Sequence, residues 1–361
     1  MKYRLLVDSN EYWEQLQSDI SKSNHHFYMA ALSFEGDATG KKLADALYGS
    51  PCEDRRIMID DFTRFVISDR FIYNPCNYFS RKVNAERRAT AGLIRDLKIN
   101  GVRVMFTNPM GPMGKNCAGR NHKKMVVIDD SVSYIGGINI SDHNFDWHDM
   151  MIRVEDERFA KLLKADFLEN WKGQKRPRSE KIDDLWLHVL DGHSNHRSFQ
   201  SLFRIMENAE KRILIESPYL MFPFIEKLGD LRQKGIQVVV ICPEKNNRQV
   251  FDHYIRRECV RRGFDLKLFS RGMTHLKLMM IDDDYLVCGS TNFDYVSYTA
   301  QQEIFAIISN KKLIHEVKNR IVEADLAGSC PFDHRYSKFR GFTSKQFLNG
   351  LCKSAVKLNT L

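Results

Sequence analysis

A short signature that occurs twice constrains this chain more than any other feature. The segments HKKMVVID and HLKLMMID both fit the pattern HxKxxxxD. One copy would be a weak motif match, whereas two copies in one chain indicate an internal repeat. The residues that fill the pattern are His122, Lys124 and Asp129 in the first copy, and His275, Lys277 and Asp282 in the second.

The similarity continues beyond the motif, because a glycine turn and an asparagine follow each copy at the same distance. The two histidines lie 153 residues apart (275 minus 122), which is the length of a domain rather than of a solenoid repeat. We therefore expect two similar halves that contribute to one shared active site at their interface. The downstream residues are Gly136, Gly137 and Asn139, and in the second copy Gly289, Ser290 and Asn292.

Strand-like and helix-like segments alternate in both halves, which predicts an α/β fold with a mixed sheet covered by helices on both faces. The basic segment KGQKRPRSEK at 172–181 separates two apolar patterns and is the expected linker. The predicted domains are 1–175, with the first motif, and 176–330, with the second. A basic tail follows at 331–361, where helical spacing of apolar residues favours either an interfacial amphipathic helix or a helix docked on the core.

The chemistry of the repeated residues suits a reaction at a phosphodiester. Histidine can attack phosphorus and can carry a proton near neutral pH, while lysine neutralises the non-bridging oxygens. An asparagine amide can donate to the same oxygens, and glycine lets the backbone approach the anion. If HKKMVVID forms a strand, His122 and Lys124 point to one face, as do His275 and Lys277 in their copy.

A carboxylate lies about ten residues after each asparagine, at Asp149 and at Glu303. A histidine nucleophile needs an acceptor at its far nitrogen, so we interpret these two as orienting groups. Their alternative role is that of surface acids at strand starts. Asp129 and Asp282 precede turns, which favours turn formation or a local salt bridge for them over catalysis.

The charge balance points to an anionic partner. The formal net charge is +9, and nucleic acid and acidic lipid headgroups satisfy it equally well. The eight cysteines are scattered without a metal-ligand spacing, so we expect reduced thiols, no metal and no cofactor. The N-terminal segment does not resemble a secretory signal and no apolar run is long enough to span a bilayer, which predicts a cytoplasmic protein peripheral to the membrane.

These motifs resemble the phospholipase D superfamily, whose mark is a duplicated HxKxxxxD pattern with a downstream Gly-Ser or Gly-Gly and Asn. The segments GGINISDHN and SPYLMFP make the chain most similar to the bacterial cardiolipin synthase type. The resemblance implies the bilobal fold of that superfamily and a covalent phosphohistidine intermediate. It implies that one motif histidine is the nucleophile and the other the acid and base; we expect His122 as nucleophile and His275 as acid and base, and the reverse assignment stays open. It also implies anionic phospholipid as substrate and no cofactor.

The sequence departs from the synthase pattern after the second asparagine, where Val296 and Gln301 occupy positions that usually hold other residues. The acceptor, water or alcohol, therefore stays open. A nuclease or other phosphodiesterase of the same superfamily is the alternative function, and a catalytically silent, membrane-binding scaffold is a third. Intact motif positions in both copies disfavour the scaffold, and the lack of aromatics beside basic residues in the motif regions disfavours the nuclease. The oligomeric state is not predicted.

Overall fold

The computed structural model describes residues 1–111, 114–333 and 337–359. The chain divides into two compact units, of which the first comprises Met1–Asp146 and Met150–Arg176. The second comprises Pro177–Leu361 together with the three residues Trp147–Asp149. A short segment from the first half of the sequence is therefore part of the second unit.

The first unit alternates strands and helices. Its elements are β1 (Lys2–Val7), α1 (Asp8–Lys22), β2 (His26–Ala31), α2 (Ala38–Tyr48), β3 (Asp54–Asp60), a 3-10 turn (Asp61–Arg64), β4 (Val66–Ile67), β5 (Arg70–Phe71), α3 (Pro75–Tyr78), α4 (Arg81–Ile99), β6 (Arg103–Thr107), β7 (Met125–Ile128), β8 (Val132–Gly136), α5 (Asp142–Phe145), β9 (Met150–Glu155) and α6 (Glu157–Trp171).

Seven of these strands form one sheet in the order β1-β9-β8-β7-β2-β3-β6. The pairs β2/β3 and β3/β6 are parallel, and the other pairs are antiparallel. Strand residues alternate between the two faces, so Phe27 and Met29 join a core with α1, α2 and α4. On the opposite face Tyr28 stacks on Phe167 of α6 with ring centroids 4.9 Å apart.

The second unit repeats this alternation and adds elements at its ends. It contains β10 (Arg178–Ile182), β11 (Leu185–Val189), α7 (Asn195–Glu207), β12 (Arg212–Glu216), α8 (Phe224–Gln233), β13 (Gln237–Pro243), α9 (Gln249–Arg262), β14 (Asp265–Phe269), β15 (Leu278–Ile281), β16 (Tyr285–Gly289), α10 (Tyr295–Thr299), β17 (Ile304–Ile308), α11 (Lys311–Val317), a π-helical turn (Lys318–Val322), α12 (Glu323–Ala327), β18 (Ser329–Pro331) and α13 (Lys338–Asn359).

Its sheet runs β10-β11-β17-β16-β15-β12-β13-β14-β18. Without the two edge strands β10 and β18, the order and the directions of pairing match those of the first sheet. Alternate residues such as Ile213 and Val238 pack with α7, α8 and α9 in one core. The predicted α/β class and the two similar halves are thus confirmed.

Several boundaries differ from those expected. The predicted linker at 172–181 is partly regular, because Arg178–Ile182 forms the edge strand β10, paired with β11 around the turn at 183–184. The segment 331–361 groups with the second unit, where α13 packs along α9 and buries Leu348 and Cys352. Residues 334–336 and 360–361 of the predicted tail lie outside the described residues.

The cysteines form no disulfide within the described residues. Within the described part of the chain, no helix is both long and apolar enough to cross a membrane.

Each motif aspartate holds together the start of a strand and the end of its neighbour. Asp282 has a positive φ of 52°, and its carboxylate accepts backbone N–H groups of Glu210, Lys211 and Arg212 at 2.6–2.9 Å. These bonds hold the pKa of Asp282 below its usual value against the opposing effect of burial. Asp129 (φ 48°) makes the equivalent three contacts to residues 24–26.

We expect Asp282→Ala to lower the free energy of unfolding by about 1–3 kcal/mol, because three backbone donors lose a charged acceptor. The pKa of Asp282 is depressed by folding, so this contribution is present above the pKa of the unfolded chain and is lost as the pH falls through the folded value. Urea unfolding at pH 7 measures the effect. Asp284→Ala, at an exposed carboxylate two residues away, is the matched control and should change stability by less than about 0.5 kcal/mol. Equal losses in the two variants would contradict this role.

Candidate active site

The motif histidines and lysines lie in extended segments immediately before β7 and β15, and not within the strands as predicted. The sheet ladder begins only at Met125 and at Leu278. The residues before them are not part of the ladder. There the motif lysine donates to a backbone carbonyl: Lys124 Nζ lies 2.9 Å from the carbonyl oxygen of His122. Lys277 makes the same contact to the carbonyl of His275.

Extended backbone still alternates its side chains in these segments. Lys123, between His122 and Lys124, pairs with Asp166 of α6 at 2.7 Å, and both side chains are buried. Its neighbours His122 and Lys124 are also buried. Ahead of them, buried Asp60 at the end of β3 accepts from Arg120 Nη1 at 2.9 Å and from the backbone N–H of Asn121 at 2.6 Å. The backbone that leads into His122 is therefore held by hydrogen bonds to the end of β3.

In the second unit, the ring of His275 is held by the carboxylate of Asp149. His275 Nδ1 lies 2.7 Å from Asp149 Oδ2, and both side chains are nearly inaccessible to solvent. A proton on Nδ1 that is donated to this carboxylate leaves Nε2 available for chemistry. Asp149 reaches this position because Trp147–Asp149 belongs to the second unit, where the backbone N–H of His275 donates to the carbonyl of His148 at 2.7 Å.

A cation lies directly against this histidine. Lys277 Nζ is 2.9 Å from both ring nitrogens of His275. Burial lowers the pKa of Lys277 to about 8, while the nearby carboxylates of Asp149, Glu303 and Asp294 oppose that shift. The amine is thus a desolvated cation close to neutral pH, which is the state in which it attracts an oxyanion most strongly.

Aromatic rings complete the walls around His275. Trp147 lies 5.0 Å from the imidazole between ring centroids, and Tyr219, from the SPYL segment, lies 6.2 Å away edge-on. Tyr219 is fixed in turn by its hydroxyl, which donates to Asn247 at 2.7 Å. The imidazole is enclosed by rigid groups that exclude water from it.

The glycine turns after the motifs bring strand ends close together. Gly289 has a φ of 150°, and a Cβ there would collide with the backbone oxygen of Ile304. A Cβ at Gly136 would collide with the backbone oxygen of Met150, and Gly137 donates its N–H to that oxygen at 3.1 Å. Both turns therefore require a glycine at the strand end.

The asparagines that follow are buried. Asn139 Oδ1 lies 3.4 Å from the backbone nitrogen of Ser33, whereas Asn292 Oδ1 has no hydrogen-bond partner among the described residues. Burying an amide oxygen without a hydrogen-bond partner lowers the stability of the fold, and such groups recur at functional sites.

Glu303 is fully buried at the start of β17. Its carboxylate accepts from the hydroxyls of Ser290 at 2.5 Å and Ser297 at 3.0 Å. Ser297 also lies 3.0 Å from the side-chain oxygen of Gln301, and Val296 packs at the margin of the core. Of the two residues that depart from the synthase pattern, Gln301 therefore lies beside the hydroxyl that donates to Glu303, and Val296 packs against the core.

A cluster that the sequence did not reveal lies behind His275. His148 Nε2 is 2.9 Å from Asp325 Oδ2, Glu216 Oε1 accepts from the hydroxyl of Thr274 at 2.6 Å, and Arg271 pairs with Asp325. Burial, reinforced by the charge of Asp325, raises the pKa of Glu216 to about 8. In sequence, His148 and Glu216 are 68 residues apart and Glu216 and Asp325 are 109 residues apart (216 minus 148, 325 minus 216), so no local spacing could have indicated the cluster.

This cluster is also where a metal ion could bind. One ligand atom each from His148, Glu216 and Asp325 lie within 4.8 Å of one another, and no other trio of this kind occurs in the described ranges. Imidazole and carboxylate groups are ligands that zinc accepts. From residue spacing we predicted no metal site anywhere in the chain, and these three residues are too far apart in sequence to form such a spacing.

A protein-family model matches most of the chain. The family model described as cardiolipin synthase, PLD-like domain, matches residues 16–171 and 202–324, which include both motifs.

Curated proteins that align with this chain are named cardiolipin synthases. The major cardiolipin synthase of Bacillus subtilis (strain 168) is 24% identical, with 88% of this chain and 68% of that protein aligned. Cardiolipin synthase 1 of Bacillus cereus is 23% identical, with 98% of this chain and 71% of that protein aligned.

Among solved structures, phosphatidylserine synthase of Haemophilus influenzae Rd KW20 superposes with a TM-score of 0.70 at 16% identity, over 99% of this chain and 95% of that chain. At that identity the match shows the fold. Because the family model spans both repeats, this chain belongs to the phospholipase D superfamily, in the family of cardiolipin synthase PLD-like domains.

Proposed function

We propose that this protein is a phosphatidyltransferase that exchanges the alcohol of a phospholipid phosphodiester through a covalent phosphohistidine, as in cardiolipin synthesis. The observation that carries the proposal is the 2.7 Å contact between His275 Nδ1 and Asp149, with Lys277 beside the same ring. It presents one imidazole nitrogen and one cation for chemistry at a phosphate.

The two histidines take different steps in this proposal. His122 attacks phosphorus, and the bond from phosphorus to the leaving alcohol oxygen breaks as protonated His275 gives that oxygen its proton. The acceptor alcohol then attacks phosphorus, gives its proton to His275, and the phosphorus–nitrogen bond to His122 breaks. Proton balance is restored after each turnover, and no redox partner is needed.

Charge stabilisation falls to the remaining motif residues. Lys124 and Lys277 neutralise the non-bridging oxygens, and the amides of Asn139 and Asn292 donate to them. Buried donors are worth more in such a site than in water, because the dielectric is low and they need no reorganisation. Glu303 is proposed as the second orienting carboxylate, and the motif aspartates act only on the fold.

Phospholipid is the substrate that the relatives support. The proteins aligned over most of this chain are named cardiolipin synthases, and the matched fold is that of a phosphatidylserine synthase. The net charge of +9 suits an anionic lipid surface at which the enzyme acts as a peripheral protein. Nucleic acid is the alternative, and a direct comparison of the two substrates tests it.

We expect the wild-type protein to convert phosphatidylglycerol in vesicles to cardiolipin and glycerol, and to leave single-stranded DNA intact, as analysed by mass spectrometry and gel electrophoresis. His122→Ala and His275→Ala should each lose at least about 1,000-fold in rate, since each removes a group that bonds to or protonates the reacting atoms. His196→Ala, at an exposed histidine, is the control with unchanged activity. Full activity in either motif variant, or DNA cleavage without lipid turnover, would contradict the proposal.

Asp149→Asn should reduce kcat by about 100-fold or more with little change in KM, because asparagine can present its amide to Nδ1 and favour the wrong tautomer. Steady-state kinetics on phosphatidylglycerol measure both constants. The exposed carboxylate Asp146 provides the control Asp146→Asn. A large rise in KM at constant kcat would show that Asp149 serves substrate binding instead.

The rate should fall on the alkaline side with an apparent pKa near 8, the value for buried Lys277. The charged amine is present below that pH and is lost as the pH rises through it, so kcat/KM declines above pH 8. Lys277→Arg keeps its charge at all of these pH values and should move the decline upward, even at a lower rate. An alkaline limb that is unchanged in Lys277→Arg would assign it to another group.

A further inference from the structure

The described residues contain an aromatic surface with no place in the proposed chemistry, in the segment between β3 and α4. We call residues 65–79 the aromatic hairpin, because β4 and β5 pair within it and five aromatic residues occur along it. Phe79 is 80% exposed, Tyr73 and Tyr78 are 51% exposed, and Phe71 is 48% exposed. Clustered exposure of this kind marks an interaction surface.

The exposed rings contact one another and form a continuous patch. Tyr73 lies 5.9 Å from Phe71 and 6.3 Å from Tyr78 between ring centroids, and Tyr78 lies 5.3 Å from Phe79. Phe65 joins the patch from the other side, 5.8 Å from Tyr73. Because the exposed rings contact one another in succession, a partner would meet them as a single apolar face.

The base of the hairpin is firmly attached to the first unit. Ile67 and Ile72 are buried with Val83 of α4 in a small core of their own. The backbone N–H of Ser68 donates to the carboxylate of buried Glu35 at 3.0 Å. The rings are therefore presented outward by a fixed support.

Basic residues surround the patch. Between residues 64 and 88 six cationic side chains oppose two carboxylates, for a formal net charge of +4. The cations are Arg64, Arg70, Arg81, Lys82, Arg87 and Arg88, and the carboxylates are Asp69 and Glu86. Aromatic rings at headgroup depth, flanked by arginine and lysine, are what an anionic bilayer binds.

A groove of about 650 Å³ adjoins the patch. Phe65 and Tyr73 line it from the hairpin, with Ile94 and Phe106 on the other side and Arg64 at its wall. Its mixed lining of apolar and guanidinium groups matches the apolar and anionic parts of a phospholipid.

The hairpin is close in the fold to the first motif. It follows Asp60, which holds the backbone of Asn121 next to His122. Thr63, in the turn before it, lies 3.1 Å from the carbonyl of Leu32 and 3.3 Å from the nitrogen of Phe34, beside the loop that contacts Asn139. A bilayer bound at the hairpin would lie at the same end of the first sheet as these motif residues.

We propose that the aromatic hairpin and its basic margin form the docking surface for an anionic phospholipid bilayer. This inference rests on the proposed function, because a phospholipid substrate is delivered from a bilayer. The rings enter the headgroup region while Arg70, Arg81 and Lys82 meet lipid phosphates. The surface is distinct from α13, for which sequence spacing left both an interfacial helix and a helix docked on the core open.

The experiment compares two triple variants of the full chain. The hairpin variant loses three exposed rings of the patch through Phe71→Ser, Tyr78→Ser and Phe79→Ser. The α13 variant loses three exposed rings of that helix through Phe339→Ser, Phe342→Ser and Phe347→Ser. Co-sedimentation with phosphatidylglycerol vesicles measures binding, and phosphatidylcholine vesicles test the charge requirement. We expect at least a tenfold loss of binding to phosphatidylglycerol in the hairpin variant, near wild-type binding in the α13 variant, and weak binding of all proteins to phosphatidylcholine.

Activity on a monomeric short-chain phosphatidylglycerol separates docking from catalysis. The hairpin variant should keep the wild-type rate on this substrate and lose rate only on vesicles. If wild-type protein binds vesicles but turns over no lipid, the proposed function fails while the docking surface stands. Undiminished vesicle binding in the hairpin variant overturns the inference. The inference is also overturned if that variant keeps vesicle binding but loses self-association, which would assign the patch to a second copy. The same holds if it keeps vesicle binding but loses binding to single-stranded DNA, which would assign the patch to nucleic acid.

Discussion

The hydrogen bond between His275 and Asp149 is the contact on which the candidate site of the second unit depends. It fixes which imidazole nitrogen faces the carboxylate, and the segment Trp147–Asp149 that supplies this carboxylate is part of the second unit. The carbonyl of His148 accepts from the backbone of His275, and the His148 ring is fixed by Asp325. One short segment thus supplies the orienting carboxylate, an aromatic wall and the backbone partner of the histidine.

A second constraint is the cost of burying lysine. Lys123, Lys124 and Lys277 are almost completely inaccessible, and an unpaired buried ammonium would be strongly destabilising. Lys123 is neutralised by Asp166, whereas the two motif lysines donate to the carbonyls of their own histidines. A carbonyl provides a hydrogen bond without cancelling the charge. At Lys277, burial lowers the pKa of the amine to about 8, while the charges of Asp149, Glu303 and Asp294 oppose that shift.

The alternation of strand-like and helix-like segments was enough to predict the α/β class, and the repeated motif was enough to predict two similar halves, because a period of domain length leaves few architectures. The motif placed its histidines and lysines wrongly within strands, since a pattern of residue types does not show that the ladders begin only at Met125 and Leu278. Spacing indicated Asp149 as an acceptor but did not tell which histidine it would meet. Asp325 and Glu216 could not be found at all, because tertiary folding alone brings them beside His148. Catalytic roles of the motif residues stay predictions.

The central claim, a phosphatidyl group carried on histidine, is tested most directly by trapping the intermediate. Wild-type protein is mixed with phosphatidylglycerol, quenched in alkali within milliseconds to seconds, digested, and mapped by mass spectrometry. The account predicts a phosphatidyl adduct on the peptide that contains His122, absent from His122→Ala and formed far more slowly in His275→Ala, which lacks the acid for the leaving alcohol. An adduct on His275 would reverse the two roles. Turnover of lipid with no adduct on either histidine would contradict the covalent mechanism itself.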